Sequence, residues 1–168
     1  DKGIMKFLSK NLTTIGFKCK IIKSKGTGSK LALNLYARYG KAKPHIMYLG
    51  HTDVVANLNN WKFPPFKAVL SKGYLNGRGA QDMKGGIACW ISAVSNFIKN
   101  IKFKGSISII ISADEETTGY GCPAVMKYLR KKSEKIDFSV VGEPSSNKSV
   151  GDEIRIGRRG SMNGVMTN

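Results

Sequence analysis

The chain has 168 residues, 41% hydrophobic and 23% charged, with 28 Lys and Arg against 11 Asp and Glu and a formal charge of +17. That length supports one domain with a real core in a globular protein, and no apolar run approaches the roughly 20 residues of a membrane span. Three widely spaced cysteines, Cys19, Cys89 and Cys122, exclude a disulfide framework or a C-x-x-C zinc knuckle and are expected as buried free thiols.

In chain order, Ile4, Phe7, Leu8, Leu12 and Ile15 recur at helical spacing, and Gly16 follows as a stop. The start, Asp1-Lys2-Gly3-Ile4, lacks the basic and apolar regions of a signal peptide, so the expected compartment is the cytoplasm. Residues 17–22 and 31–39 read as strands around a Gly/Ser/Lys turn. That turn, K-G-T-G-S-K, lacks the spacing of a phosphate loop and leads into a strand, so no phosphate site is read there. Residues 45–49 form a short apolar strand, residues 68–75 a hairpin, and residues 85–99 an amphipathic helix. A β-branched run over 106–113 reads as a buried strand, 123–132 as a helix and 138–141 as another buried strand. The alternation from Gly77 onward argues for α/β layering with some parallel pairing. The last residues, Met166 to Asn168, also read as strand.

The positive charge has two readings. Nucleic-acid readers concentrate arginine and aromatic contacts on one stripe, whereas the lysines here are scattered through every segment. The densest cluster, Arg130-Lys131-Lys132, falls at an expected helix end, where cations favour the dipole. Surface composition is therefore preferred and no nucleic-acid partner is expected, although a basic field would draw in an acidic substrate. A non-catalytic basic binding protein is the alternative reading.

Three of the strands end alike. M-Y-L-G runs into His51-Thr52-Asp53, I-I-I-S-A into Asp114-Glu115-Glu116, and S-V-V-G into Glu143-Pro144. Ligands of open α/β sheets bind beyond the carboxyl ends of their strands. Asp82, on a Gly-rich bend before the next helix, adds a further acid. Singly, each has a plain structural role: a turn for H-T-D, a helix cap for Asp82, solvated surface for D-E-E. Jointly they form a rim of like charges that calls for a cation, and His with carboxylates is a zinc ligand set. His51, Asp82 and Glu143 would leave a coordination position open, as catalytic zinc sites do. Asp53, two residues on in an extended segment, stands behind His51 and can fix its tautomer. Adjacent Glu115 and Glu116 would diverge, one toward metal and one toward water as general base.

The strings G-H-T-D-V-V at Gly50, W-x-x-P-P-F at Trp61, G-R-G-A-Q-D-M-K-G-G-I-A-C at Gly77, S-A-D-E-E at Ser112, V-G-E-P-S-S at Val141 and I-G-R-R-G-S-M-N-G at Ile156 run over nearly the whole chain. In that order they resemble the M20 family of co-catalytic metallopeptidases and deacylases. D-M-K-G-G-I-A-C and I-G-R-R-G-S favour its desuccinylase branch over acetylornithine deacetylases, aminoacylases or dipeptidases. The resemblance implies a three-layer α/β/α zinc-peptidase-like catalytic domain with a mixed, largely parallel sheet, incomplete at its C-terminus. Residues 1–157 would be its N-terminal part, and residues 158–168 the start of a lid and dimerisation domain.

The resemblance also implies roles. His51, Asp82 and Glu143 would hold one Zn2+, with Asp82 bridging to a second ion held by Glu116. Asp53 would orient His51, Glu115 would be the general acid/base, and Arg158 would meet a substrate carboxylate. The Asp82–Met83 peptide would be cis. Complete family enzymes carry two zinc ions, with cobalt or manganese able to replace them. The second site needs a histidine from far downstream, so one site is expected here. The implied reaction is hydrolysis of the amide joining succinate to LL-2,6-diaminopimelate, with metal polarising the carbonyl and acidifying a water. The partner would be a small N-acyl amino acid. Family members are homodimers, with an active-site histidine from the partner's lid, and this stretch alone is expected to be inactive.

Overall fold

A computed structural model describes residues 3–26, 28, 30–56 and 60–157. Helix α1 spans Ile4–Thr14 and buries Met5, Leu8 and Leu12 at spacings of three and four. Phe7, expected on that apolar face, stands outside it and is exposed. Strands β1 (Lys18–Lys25) and β2 (Leu31–Gly40) form a long antiparallel hairpin in the register Lys18 to Arg38 and Lys25 to Leu31. β3 follows over His45–His51, then a small two-stranded hairpin, β4 (Val69–Ser71) and β5 (Tyr74–Asn76). A π-type turn, Ala80–Gly85, leads into α2 (Gly86–Asn100). β6 (Ser106–Ser112), α3 (Gly121–Lys131) and β7 (Phe138–Val141) complete the described order. The basic run Arg130-Lys131 falls in the last turn of α3, as the dipole favours.

The main sheet has the order β1-β2-β6-β3-β7. β2 runs against both its neighbours, while β6, β3 and β7 are mutually parallel. Four of the five strands therefore point one way and only β2 is reversed. Strand periodicity sorts the side chains between two faces. Leu35, Ala37, Ile109 and Ile111 meet α1 and α2, while Tyr36, Met47 and Ile110 meet Val125 and Leu129 of α3. The result is three layers, α/β/α. Central β6 is buried along its whole length, and each of its isoleucines contributes roughly 1.5–3 kcal/mol through burial.

This topology places a crevice. From β3 the chain crosses one face through α2 to reach β6, then returns across the other face through α3 to β7. The two crossovers leave the carboxyl ends of neighbouring strands in opposite directions, which opens a gap above them.

Two expectations are corrected here. β7 is exposed along all four residues because it is the outer strand and no described element covers it. Cys89 is likewise exposed, on the outer side of α2, while Cys19 and Cys122 are half-buried. Among the described residues no helix is long and apolar enough to cross a membrane.

Candidate metal centre

β3 and β6 pair up to His51 and Ser112, and the Thr52 amide still reaches the Ser112 carbonyl at 3.3 Å before the chain leaves the sheet. His51 is thus the last strand residue, and it is buried. Its backbone N–H donates to Met83 Sδ at 3.3 Å, which ties the strand end to the turn carrying Asp82. Within that turn the Asp82–Met83 peptide is cis, as the family resemblance implies.

The imidazole divides its surroundings. Nε2 faces Asp82 Oδ1 at 3.1 Å, Glu143 Oε1 at 3.7 Å and Glu115 Oε2 at 3.9 Å. Nδ1 lies 3.1 Å from the Asp53 carbonyl oxygen and 3.6 Å from its carboxylate Oδ1. The backbone carbonyl is the closer acceptor; the carboxylate stands beyond hydrogen-bonding distance. Asp53 Oδ2 instead accepts the Glu116 N–H at 2.9 Å, fastening the β3 end to the loop after β6.

That loop is shaped by Asp114, whose φ of 65° is left-handed, a conformation that Asp tolerates better than most residues. Its carboxylate accepts the Thr117 hydroxyl at 2.6 Å and the Thr118 hydroxyl, so it braces the loop. The following acids are dealt to different groups. His51, Glu115 and Glu143 form one set and His51, Asp82 and Glu116 another, with the ligand atoms of each set within 4.8 Å of one another. Donors about 2 Å from a common zinc stand up to about 4 Å apart, so each set needs only a small closure to hold an ion.

The electrostatics point the same way. His51 is raised to about 9 by its interaction with Asp53, which outweighs its burial, with help from Glu143 and Glu115. A metal on Nε2 binds the neutral ring, so metal uptake competes with protonation of His51. Burial raises Glu143 and Glu116; Asp82 adds to both, and His51 partly offsets them. Burial also works to raise Asp53, but His51 and the amides of Glu116 and Glu115 outweigh it and hold the carboxyl low. Acids this crowded gain by sharing a cation, and one imidazole with several carboxylates is a donor set that fits zinc.

All of His51, Asp53, Asp82, Glu115, Glu116 and Glu143 therefore meet at one rim. Arg158 and the expected lid start lie outside the described residues. His45, the other histidine, has no place here. It is buried at the opposite end of β3, between the Lys135 carbonyl and Ser108 Oγ, each at 2.8 Å. In the sequence Met83 stands out only for its implied cis peptide and Lys84 is not singled out, although both follow Asp82 in the string that carries the resemblance. A lysine amid acids was the available signal.

The model of peptidase family M20/M25/M40 matches residues 47–164. A succinyl-diaminopimelate desuccinylase of Pelagibacter ubique is 51% identical over 99% of this chain and 44% of its own length. One from Ehrlichia chaffeensis is 46% identical over 97% of this chain and 43% of its own length. The chain thus spans less than half the length of these relatives. Among solved structures, human carnosine dipeptidase 1 superposes with a TM-score of 0.67 at 22% identity, over 84% of this chain and 32% of that one. An M20 metallo-carboxypeptidase from Sulfolobus solfataricus gives 0.66 at 21% identity, over 84% and 32%. These likenesses show the fold, a zinc-peptidase type of α/β/α domain.

Proposed function

The chain belongs to peptidase family M20/M25/M40, and on that premise we propose that it carries the metal-binding face of a hydrolase that splits succinate from LL-2,6-diaminopimelate. The names of its relatives support the substrate. The observation that carries the chemistry is His51, whose Nε2 meets acids from three separate loops while Nδ1 turns to Asp53.

In this reading one zinc takes His51 with Asp82 and Glu143, one acid from each of the two sets and not either set whole, and Asp82 with Glu116 supports a second ion in the full-length protein; cobalt or manganese suits the same donors. When bound, the metal supplies Lewis-acid polarisation of the scissile carbonyl and acidifies a water. Asp53 holds the His51 ring through its Nδ1–H. Glu115, unused as a ligand in that assignment, takes the proton of the attacking water and returns it to the departing amine. Arg158 receives a substrate carboxylate in bidentate fashion.

Residues 1–157 make up the first part of the catalytic domain and residues 158–168 lead into a lid and dimerisation domain. The full-length protein is a homodimer acting on a small N-acyl amino acid in diaminopimelate and lysine biosynthesis. Three unpaired cysteines suit the cytoplasm. Without the remaining length the 168 residues bind metal but do not turn over substrate.

Zinc retained after loading and dialysis, measured by mass spectrometry, tests the reading. The 168-residue chain should hold about one ion, and a Glu143→Ala variant should hold almost none. In the full-length protein the same substitution should abolish hydrolysis of N-succinyl-diaminopimelate. A folded parent chain that holds no zinc overturns the proposal.

A further inference from the structure

We propose that Lys84 is a positioning residue of the metal centre: its ammonium ties the segment bearing His51 and Asp53 to the turn bearing Asp82. The inference rests on the metal-centre reading above and adds a residue that this reading does not use.

Lys84 acts at both ends. Its backbone N–H donates to the Gly79 carbonyl at 3.1 Å, closing the turn in which Asp82 lies. Its side chain is half-buried and reaches across to donate from Nζ to the Thr52 carbonyl at 3.2 Å. Thr52 stands between His51 and Asp53, so one side chain spans the two segments that supply the imidazole and the nearest carboxylate.

The turn is shaped around the ammonium. A Cβ on Gly79 would stand 2.1 Å from Lys84 Nζ, 2.6 Å from Val54 Cγ1 and 2.9 Å from Lys84 Cε, and Gly79 has a φ of +75°. Only glycine leaves the ammonium that space at no conformational cost. Lys84 also sits in the field of Asp53 and Asp82.

The sign of its effect on metal binding separates two roles. A lysine that merely supplied charge would repel a divalent ion, so removing it would tighten zinc. A lysine that holds the donors together would, on removal, loosen it. The partial burial of the side chain and its directed hydrogen bond to the Thr52 carbonyl favour the second role. Removing groups that orient metal ligands commonly costs 10–100-fold in affinity.

The experiment measures zinc affinity by competition with a chromophoric chelator on the full-length protein, with folding checked by circular dichroism. Lys84→Met keeps most of the stem and removes the donor. It should weaken zinc roughly tenfold or more, and Lys84→Arg, which keeps a cationic donor, should recover most of that loss. Gly79→Ala crowds both the ammonium and Val54 Cγ1 while leaving the charge in the protein, so its part through Lys84 is read from the double variant. It should weaken zinc to a similar degree, and combining it with Lys84→Met should add little further loss. Unchanged or tighter binding by folded Lys84→Met overturns the proposal. Should that variant not fold, unchanged affinity in Gly79→Ala overturns it equally. A parent protein that binds no zinc instead overturns the metal-centre reading, a separate failure.

Discussion

Tyr36 shows how a single buried side chain sets a limit on this fold. It lies in the middle of β2 on the α3 face, and burial, with Glu134 adding to it and Arg38 opposing, pushes its phenol from 10.0 up to about 12. A folded-state pKa above the unfolded one means that the fold prefers the neutral phenol. The resulting stabilisation is complete below pH 10 and is lost as pH rises through about 12. Denaturant midpoints of the metal-free chain should therefore fall across that window. Tyr36→Phe should fall less steeply than the parent, and parallel curves for the two would refute the assignment. Lysines titrate in the same range, so the difference between the variants is the informative quantity. At this scale the acids of the rim and Asp53 behind His51 are legible in the sequence, while the contacts that fasten them are not. His51, Asp82, Glu115, Glu116 and Glu143 are polar residues where apolar strands or glycine bends end, which is visible in one dimension. That Met83 Sδ takes the His51 N–H, or that Asp53 reaches the Glu116 amide, depends on side-chain reach across segments 32 and 63 residues apart.

Strand ends place the candidate ligands, and what packs beneath them fixes the height at which they emerge. Gly142 joins β7 to Glu143, and a Cβ there would lie 1.9 Å from Tyr48 Oη and 2.4 Å from its Cζ. Tyr48 cannot retreat easily, since its ring stacks on Trp90 of α2 with centroids 4.8 Å apart. Gly142→Ala should destabilise the fold by about 1–3 kcal/mol, as overpacking does, and should weaken zinc by moving Glu143. Tyr48→Phe, which removes the obstructing oxygen, should restore part of both losses. Calorimetric melting of the three variants, with and without zinc, checks this; an unaltered melting temperature in Gly142→Ala would count against it. The elements themselves were legible because their periodicities are strong: β6 with its isoleucines, β7, and the β4–β5 hairpin all stand where the pattern puts them. The exposure of β7 was not legible. F-S-V-V reads as the same apolar run whether or not a neighbour covers it, and coverage is decided by distant parts of a chain.

For the molecule as a whole, that uncovered strand meets a large positive charge. Phe138, Val140 and Val141 are exposed on an outer parallel strand, an arrangement that invites pairing with another chain. A formal charge of +17 opposes such pairing at low salt, where the Debye length is about 30 Å, and much less at 1 M, where it is about 3 Å. Sedimentation velocity on the 168-residue chain should therefore show self-association that grows with salt and is suppressed by Val140→Lys. Association that weakens with salt would instead mean charge pairing elsewhere on the surface. The parallel trio β6, β3 and β7 has a consequence in time as well as in space. Each of its pairings joins segments separated by a crossover helix, so His51, Glu115 and Glu143 come together only after two long loops have closed. Such non-local contacts form late on the route to the native state. A metal bound by them would not guide the early chain; it would act afterwards as a latch, prolonging the life of the folded molecule more than hastening its birth.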